Sequence, residues 1–453
     1  MRITFLGGAG TVTGSKYLLE NDNGKIMIDC GLFQGYKQLR LMNRRPFPLD
    51  LSKLDAILLT HAHIDHSGYL PLMVRNGFKG VVYATEATRD LCKILLRDSA
   101  YLQEKDADFA NKHGFSKHHP AEPLYTQKDA EEALKLFEVV KYEKMVEVIP
   151  ELKAEFINNG HILGSSMIRV TGKKGNILFS GDMGRSNDPI MKAPPQINQA
   201  NYVVVESTYG NREHDRTDPK EILSSIINKT SERGGTVLIP SFAVGRTQLI
   251  LYYIYKMKQE GLIRDLPVFL DSPMAINASE LFSNHNNLHK LSEAEAKAVC
   301  NTATYTREVE ESQSLDKNGY PKVIISASGM ATGGRILHHL KHFVEDEKNT
   351  VLFAGYQAGG TRGARMVSGE KEIKIHGRYY SVRADVEILD MMSAHADSTE
   401  IMGWLGGFDS PPKSTFITHG EPDSSDALRL KIEEDLGWFC NVPAYGDKYE
   451  IDV

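Results

Sequence analysis

The chain has 453 residues, too long for one compact core, so two or more domains are expected. Its formal net charge of −6 gives no global basic field and leaves room only for local basic patches. Four cysteines, Cys30, Cys92, Cys300 and Cys440, lack C-x-x-C spacing, which argues against a disulfide scaffold or thiolate zinc site and for a reducing compartment.

The N-terminus, Met1 to Leu6, reads as a strand and not as a signal peptide, and no apolar run is long enough to span a bilayer. A cytoplasmic protein with no membrane partner is expected. Short strands follow at Ile3 to Leu6, Tyr17 to Leu19 and Ile26 to Ile28, separated by turns such as Asn21-Asp22-Asn23-Gly24. Asp29 ends the third. Ala56-Ile57-Leu58-Leu59 is a buried strand, and from about Glu86 to Val139 helical spacing dominates. Strand signals return near Met167, Ile177 and Tyr202. Asp218-Pro219-Lys220-Glu221 then opens a helix with a cap, a proline and an acid in its first turn. Strand Thr236 to Ile239, helix Arg246 to Glu260, strand Val268 to Leu270, strand Val323 to Ile325, helix Arg335 to Phe343 and strand Val351 to Phe353 predict a parallel α/β layer. After Gly369 the pattern reverts to antiparallel strands. The expected organisation is therefore an outer domain over residues 1–207 and 369–453, with an insert over 208–368.

Chemistry concentrates after the Ala56–Leu59 strand, in Thr60-His61-Ala62-His63-Ile64-Asp65-His66-Ser67-Gly68. Imidazole and carboxylate suit zinc and its first-row neighbours. His61 and His63 can chelate one ion from one strand end, while Asp65 and His66, one step round the turn, point toward a second. Gly68 lets the chain leave close to the ions. Three more sites repeat the pattern of apolar strand or turn, polar ligand and small residue: His161 in Asn159-Gly160-His161, Asp182 in Ser180-Gly181-Asp182, and His419 in Thr418-His419-Gly420. A carboxylate such as Asp182 can bridge two cations about 3.5–4 Å apart.

Asp29, the H-A-H-I-D-H loop, His161 and Asp182 resemble the successive motifs of the metallo-β-lactamase superfamily. Glu206-Ser207-Thr208-Tyr209-Gly210, Ser393-Ala394-His395-Ala396-Asp397 and Thr418-His419-Gly420-Glu421 resemble the three extra motifs of its β-CASP branch. Pro240 to Arg246 and Ser328-Gly329-Met330 resemble segments of that branch's inserted domain. The resemblance covers essentially the whole chain. It implies an α/β fold, a metallo-β-lactamase αββα sandwich carrying a parallel α/β β-CASP insert. It also implies relatives similar to the nuclease subunit of the cleavage and polyadenylation specificity factor.

Carried over residue by residue, the resemblance implies a first zinc on His61, His63 and His161 and a second on Asp65, His66 and His419. Asp182 bridges them, and Asp29 orients the histidine loop by hydrogen bonds. Manganese is an allowed substitute. A hydroxide generated at such a site attacks a phosphodiester. His395, held protonated by Glu206, resembles the general acid for the leaving oxygen.

A histidine at position 419 resembles the RNA-directed state of the branch, so single-stranded RNA is the expected substrate, by endonuclease or 5′-exonuclease action. A small-molecule ester or thioester hydrolase and a DNA nuclease are the alternatives. A homodimer is allowed. Backbone N–H groups at Gly333-Gly334-Arg335 after Ser328-Gly329, together with Ser241 and Gly245-Arg246, are candidate phosphate cradles. Gly359 to Arg365, with Arg362 at its centre, is flexible and basic, suited to an incoming strand. His338, His339 and His342 lie on adjacent helical turns and read as a solvated face.

Overall fold

Residues 1–114 and 118–453 are described by a computed structural model, in which contacts divide the chain into Met1–Glu213 with His395–Val453, and His214–Ala394. The first of these units contains two seven-stranded sheets. One runs in the spatial order Lys448–Glu450, Arg2–Gly7, Lys16–Asn21, Gly24–Ile28, Ala56–Leu58, Val81–Thr85, Phe137–Val140. The other runs Cys440–Asn441, Ser414–Thr418, Tyr202–Glu206, Asn176–Phe179, Ser166–Thr171, Leu152–Asn158, Met145–Ile149. Phe5, Tyr17, Ile28 and Leu58 of the first sheet meet Phe156, Ile168, Phe179 and Phe416 of the second in one buried cluster. Each such side chain contributes about 1.5–3 kcal/mol on leaving water. The opposite face of the second sheet packs Val203, Val205 and Ile417 against Ile401, Leu405 and Leu428 of helices Ser398–Leu405 and Pro422–Lys431. Helix Glu86–His113 buries Leu91, Leu95 and Leu96 and lies against the first sheet. These layers make an αββα sandwich.

Strand direction gathers the polar residues. Asn176–Phe179, Tyr202–Glu206 and Ser414–Thr418 are parallel neighbours in register. Their C-terminal ends therefore lie side by side, and Asp182, Glu206 and His419 emerge there. In the facing sheet Gly24–Ile28 and Ala56–Leu58 are also parallel, and Asp29 and the His61–His66 loop follow them.

The second unit carries a six-stranded sheet of order Thr304–Tyr305, Val268–Leu270, Lys322–Ser326, Thr236–Pro240, Thr350–Phe353, Asp385–Ile388, with every neighbouring pair parallel. Helix Pro219–Glu232 starts at the Asp218 cap, whose side chain accepts from Lys220 N.

Three sequence expectations change. The inserted unit does not end at residue 368: Asp385–Ile388 pairs parallel with Thr350–Phe353 as an edge of the inserted sheet, and the hairpin Glu372–Ile375/Arg378–Ser381 belongs with it. Antiparallel spacing identified the hairpin but carries no information about which sheet takes the next strand. Of the stretch from Glu86 to Val139 expected to be helical, Glu86–His113 and Gln127–Leu134 are helices, while Phe137–Val140 pairs with Val81–Thr85 as an edge strand. His339 is not on a solvated face; it is fully buried. No helix among the described residues is long and apolar enough to cross a membrane.

Candidate metal centre

The loop after Ala56–Leu58 is held before any ion is considered. Asp29, buried and in the left-handed region at φ 59°, accepts from Thr60 N at 2.7 Å, from Thr60 Oγ1 and from His66 Nδ1 at 2.7 Å. Gly31 permits this closeness: a Cβ there would sit 1.6 Å from the Asp65 carbonyl oxygen. His419, at φ 48°, is pinned by its N–H to Gly8 O at 2.6 Å. Two non-glycine residues in this sparsely populated conformation mark a site where surrounding bonds overrule local preference.

Hydrogen bonds fix which ring nitrogen faces inward. Thr60 gives its single hydroxyl proton to Asp29, so at 3.0 Å it accepts from His61 Nδ1–H and leaves Nε2 bare. Asp29 does the same for His66. Ser15 Oγ lies 2.8 Å from His419 Nδ1 and turns Nε2 of that ring inward. Asn159 Nδ2 donates to the carbonyls of Ser180 and Asp182, which sets the loop carrying Asp182.

The inward atoms form two sets. His61 Nε2, His63 Nδ1, His161 Nε2 and Asp182 Oδ2 are separated by 3.1 Å (61 to 63), 3.2 Å (161 to 63), 3.4 Å (61 to 182) and 3.6 Å (161 to 182). A tetrahedron with ligands about 2.0–2.1 Å from its centre has edges of about 3.4 Å. Asp182 Oδ1 faces the other set, 3.1 Å from His66 Nε2 and 3.4 Å from His419 Nε2, and Asp65 Oδ2 is 4.0 Å from His419 Nε2. Asp182 Oδ1 and His66 Nε2 are buried, yet neither makes a well-directed hydrogen bond. Imidazole nitrogens and carboxylate oxygens converging at these separations, with Asp182 Oδ1 and His66 Nε2 lacking a hydrogen-bond partner among the described residues, fit divalent cations. His61, His63, His161 and Asp182 form one group that could hold a cation, and Asp65, His66 and His419 another, with Asp182 Oδ1 facing the second.

Burial holds His61 and His161 well below the ordinary imidazole pKa and His63 at about 4, so these rings are neutral, the form that ligates. Burial opposes charge on His66 as well, but Asp182 and Asp29 outweigh it and hold His66 well above the ordinary value. A cation beside that ring would take the place of its proton.

Glu206, 1% exposed, accepts from Met183 N at 2.6 Å and Thr208 N at 3.3 Å. Its two oxygens lie 3.0 and 3.1 Å from His395 Nδ1, and His395 Nε2 is 4.0 Å from Asp182 Oδ2. Burial opposes the charge on His395, but Glu206 raises its pKa to about 9.

All the residues expected to act on an ion or a proton therefore meet in the first unit: His61, His63, Asp65, His66, His161, Asp182, His419, Asp29, Glu206 and His395. The phosphate-cradle candidates lie in the second unit. The Arg335 guanidinium donates to the buried Asp271 at 2.6 Å and to the carbonyls of Thr306 and Arg307, so this side chain braces a carboxylate. Ser241 bonds Phe242 O and Thr247, and Ser328 bonds Thr332. Arg246 is buried against Gly355, where a Cβ would lie 2.1 Å from its guanidinium. Arg362 donates to three carbonyls. A Cβ on Gly329 would meet Phe242, that on Gly334 the carbonyl of Ala327, and Gly333 faces open space. Ser15, Thr60 and Asn159 were missed by sequence reasoning. The only signal was their position beside a glycine or a ligand, and hydroxyl and amide residues in turns are too common to single out.

Residues 9–209 match the family described as the metallo-beta-lactamase superfamily, 247–366 the Beta-Casp domain, and 379–443 the Zn-dependent metallo-hydrolase RNA specificity domain. Ribonuclease TTHA0252 of Thermus thermophilus is 36% identical over 439 residues, covering 94% of this chain and 95% of that protein. The chain belongs to the β-CASP branch of the metallo-β-lactamase superfamily. Transcription termination factor FttA of Methanosarcina mazei is 33% identical over 464 residues, 96% of this chain and 70% of that protein. A protein of unknown function from Enterococcus faecalis shares the fold, with a TM-score of 0.55, 12% identity and 99% of each chain covered. As a β-CASP protein of the ribonuclease family, the chain is a metal-dependent hydrolase of the nuclease type.

Proposed function

We propose that this β-CASP enzyme is a zinc-dependent ribonuclease that hydrolyses phosphodiester bonds in single-stranded RNA. The observation that carries the reading is Asp182, whose two oxygens face two separate sets of imidazole nitrogens. The nitrogen and oxygen donor set suits zinc, with manganese as a substitute. His61, His63 and His161 with Asp182 Oδ2 would hold one cation, and Asp65, His66 and His419 with Asp182 Oδ1 the other. Such a pair supplies Lewis-acid activation of the attacking water and neutralises charge on the phosphoryl oxygens.

The chain's own residues do the rest. Thr60, Asp29 and Ser15 hold their rings in the tautomer that turns Nε2 inward. Glu206, fixed by two backbone N–H groups, keeps the proton on His395 Nδ1 and turns Nε2 toward Asp182. His395 Nε2–H is then the proton source for the leaving oxygen. The presence of His419, the match to an RNA specificity domain over 379–443 and the resemblance to a ribonuclease over nearly the full chain support RNA over DNA. A whole parallel α/β insert and a Glu206–His395 pair weigh against a small ester or thioester as substrate, whose leaving group needs neither.

The test is cleavage of a 5′-labelled single-stranded RNA beside DNA of the same sequence, with zinc and with a chelator control. Chelator-sensitive cutting of RNA alone is expected, and the product ladder separates internal cuts from release of nucleotides at the 5′ end. Cutting of DNA alone, or of neither polymer with cations bound, would refute the reading.

A further inference from the structure

The segment that brings His395 to the metal centre is fastened to the loop that follows Asp182, and both lie in the first unit. That loop is a fixed platform. Asn159 donates from Nδ2 to Asp182 O at 2.6 Å, and its own carbonyl accepts from Gly184 N at 2.9 Å. A Cβ on Gly184 would sit 2.1 Å from the carbonyl carbon of Gly160, so the two turns pack backbone to backbone. Met183 N donates to Glu206, and Met183 O accepts from Ala396 N at 2.8 Å. Ala396 follows His395 directly, so one backbone bond already ties the His395 segment to the platform. Two residues further on, Ser398 N donates to Arg212 O at 3.2 Å.

Glu400 adds a side chain to this fastening. Asp397-Ser398-Thr399-Glu400 opens helix Ser398–Leu405 as a capping box: Asp397 Oδ1 accepts from Glu400 N at 2.9 Å, and Glu400 Oε2 accepts from Asp397 N at 3.1 Å. The bland account is that Glu400 caps a helix and does nothing more, but a capping box needs only one of its oxygens. The other is not left to solvent. Glu400 Oε1 accepts from Ser186 N at 2.9 Å and from Ser186 Oγ at 2.8 Å, and Arg185 Nε lies 3.5 Å from Oε2. The side chain is 15% exposed, so water replaces these bonds poorly. One carboxylate therefore joins Ser186, four residues after Asp182, to Asp397, two residues after His395. Glu206 holds the His395 ring at Nδ1 only, so where Nε2 falls, now 4.0 Å from Asp182 Oδ2, depends on where the His395 backbone is held. A general acid must come within hydrogen-bond reach of the oxygen it protonates.

We propose that Glu400 is a positioning residue for the general acid: by joining Ser186 to Asp397 it sets the place of His395 relative to Asp182, and with it the enzyme's capacity for diesters whose leaving oxygen needs a proton. The inference rests on the ribonuclease reading and adds to it the side chain on which the reach of His395 depends. Asn159 holds the Asp182 loop by bonds that do not involve Glu400, so loss of Glu400 displaces His395 and leaves Asp182 in place.

The test is Glu400→Ala and Glu400→Gln in the full-length, metal-loaded enzyme, with thermal melting and a count of bound cations as controls. Glutamine keeps the acceptor that a capping box needs but presents an NH₂ group where Glu400 accepts twice, so it separates the tether from the cap. Cleavage of a single-stranded RNA, whose leaving alkoxide needs a proton, is compared with turnover of bis(p-nitrophenyl) phosphate, whose leaving phenolate does not. In Glu400→Ala, kcat on RNA should fall about 10–100-fold with KM and cation content as in wild type, and turnover of the small diester should fall far less. Glu400→Gln should lie between Glu400→Ala and wild type. In a His395→Ala background, Glu400→Ala should cost nothing further on RNA, because its effect passes through His395. Equal losses on the two substrates, loss of a cation, or an undiminished further loss in the His395→Ala background would overturn the assignment. RNA kinetics equal to wild type would overturn it too and leave Glu400 a helix cap. A wild-type protein that turns over the small diester but cuts no RNA would refute the ribonuclease reading, and this assignment with it.

Discussion

Asp29→Asn is the sharpest single change, because it alters one atom in a fully packed setting. The carboxylate accepts from Thr60 N, Thr60 Oγ1 and His66 Nδ1, and it is 1% exposed, so no water can replace a lost acceptor. An asparagine offers one acceptor atom and one donor. If its amide NH₂ faces His66, the ring must accept at Nδ1 and move its proton to Nε2, the nitrogen 3.1 Å from Asp182 Oδ1. If the NH₂ faces Thr60, the backbone N–H is left unbonded. A buried unsatisfied donor costs about 1–3 kcal/mol. Loss of a partner behind a metal-binding histidine costs about 10–100-fold in metal affinity, or about 1.4–2.7 kcal/mol. The two figures agree. The assay is competition between the enzyme and a chelator of known zinc affinity, with thermal melting of the metal-free protein as a control for folding. The His66 set should weaken by about 10–100-fold and the His61 set, which Asp29 touches only through Thr60, by less. Affinities within twofold of wild type at both sets would refute the reasoning.

Ser15→Ala removes the hydroxyl 2.8 Å from His419 Nδ1 and should lower affinity for the second cation about tenfold, with the first little changed; the same competition titration checks it, and equal affinities would count against the role. His395→Ala should keep both cations by elemental analysis while kcat falls about 10²–10⁴-fold; wild-type cleavage would remove His395 from the mechanism. In the second unit, burial opposes charge on His339, but Asp271 and Asp316, 2.7 and 2.6 Å away, raise its pKa and so stabilise the fold. A raised imidazole pKa contributes fully below its unfolded value and is lost as pH rises through the folded value. His339→Gln should therefore cost about 3–5 kcal/mol at mildly acidic pH and progressively less toward alkaline pH. Denaturant titration across pH measures this, and a pH-independent difference would refute it.

What was legible in the chain was the chemistry that repeats. H-A-H-I-D-H, His161, Asp182 and His419 all follow short apolar strands, and parallel register in the second sheet sets Asp182, Glu206 and His419 side by side. The insert's helices and strands at 219–259 were equally readable, because caps and apolar spacing agree there. The boundary of the insert was not, since the partner of Asp385–Ile388 lies 35 residues upstream and no local pattern names it. His339 was misread although Ile336, Leu340 and Phe343 mark the buried face on which it also falls. The imidazole suggested solvent, and only the buried Asp271 and Asp316 explain its place. Ser15 and Thr60 stayed invisible because their role is to choose a tautomer for a ring distant in sequence or adjacent in space, and a hydroxyl in a turn looks the same with or without that duty.

The most direct test of the account compares wild type with Asp182→Ala on one preparation of each, counting bound divalent cations and measuring cleavage of 5′-labelled single-stranded RNA. The account predicts two cations per wild-type chain with RNA cut, and loss of both cations and of cutting in the variant, because each set relies on one oxygen of Asp182. A variant that retained both cations, or cut RNA at the wild-type rate, would contradict it.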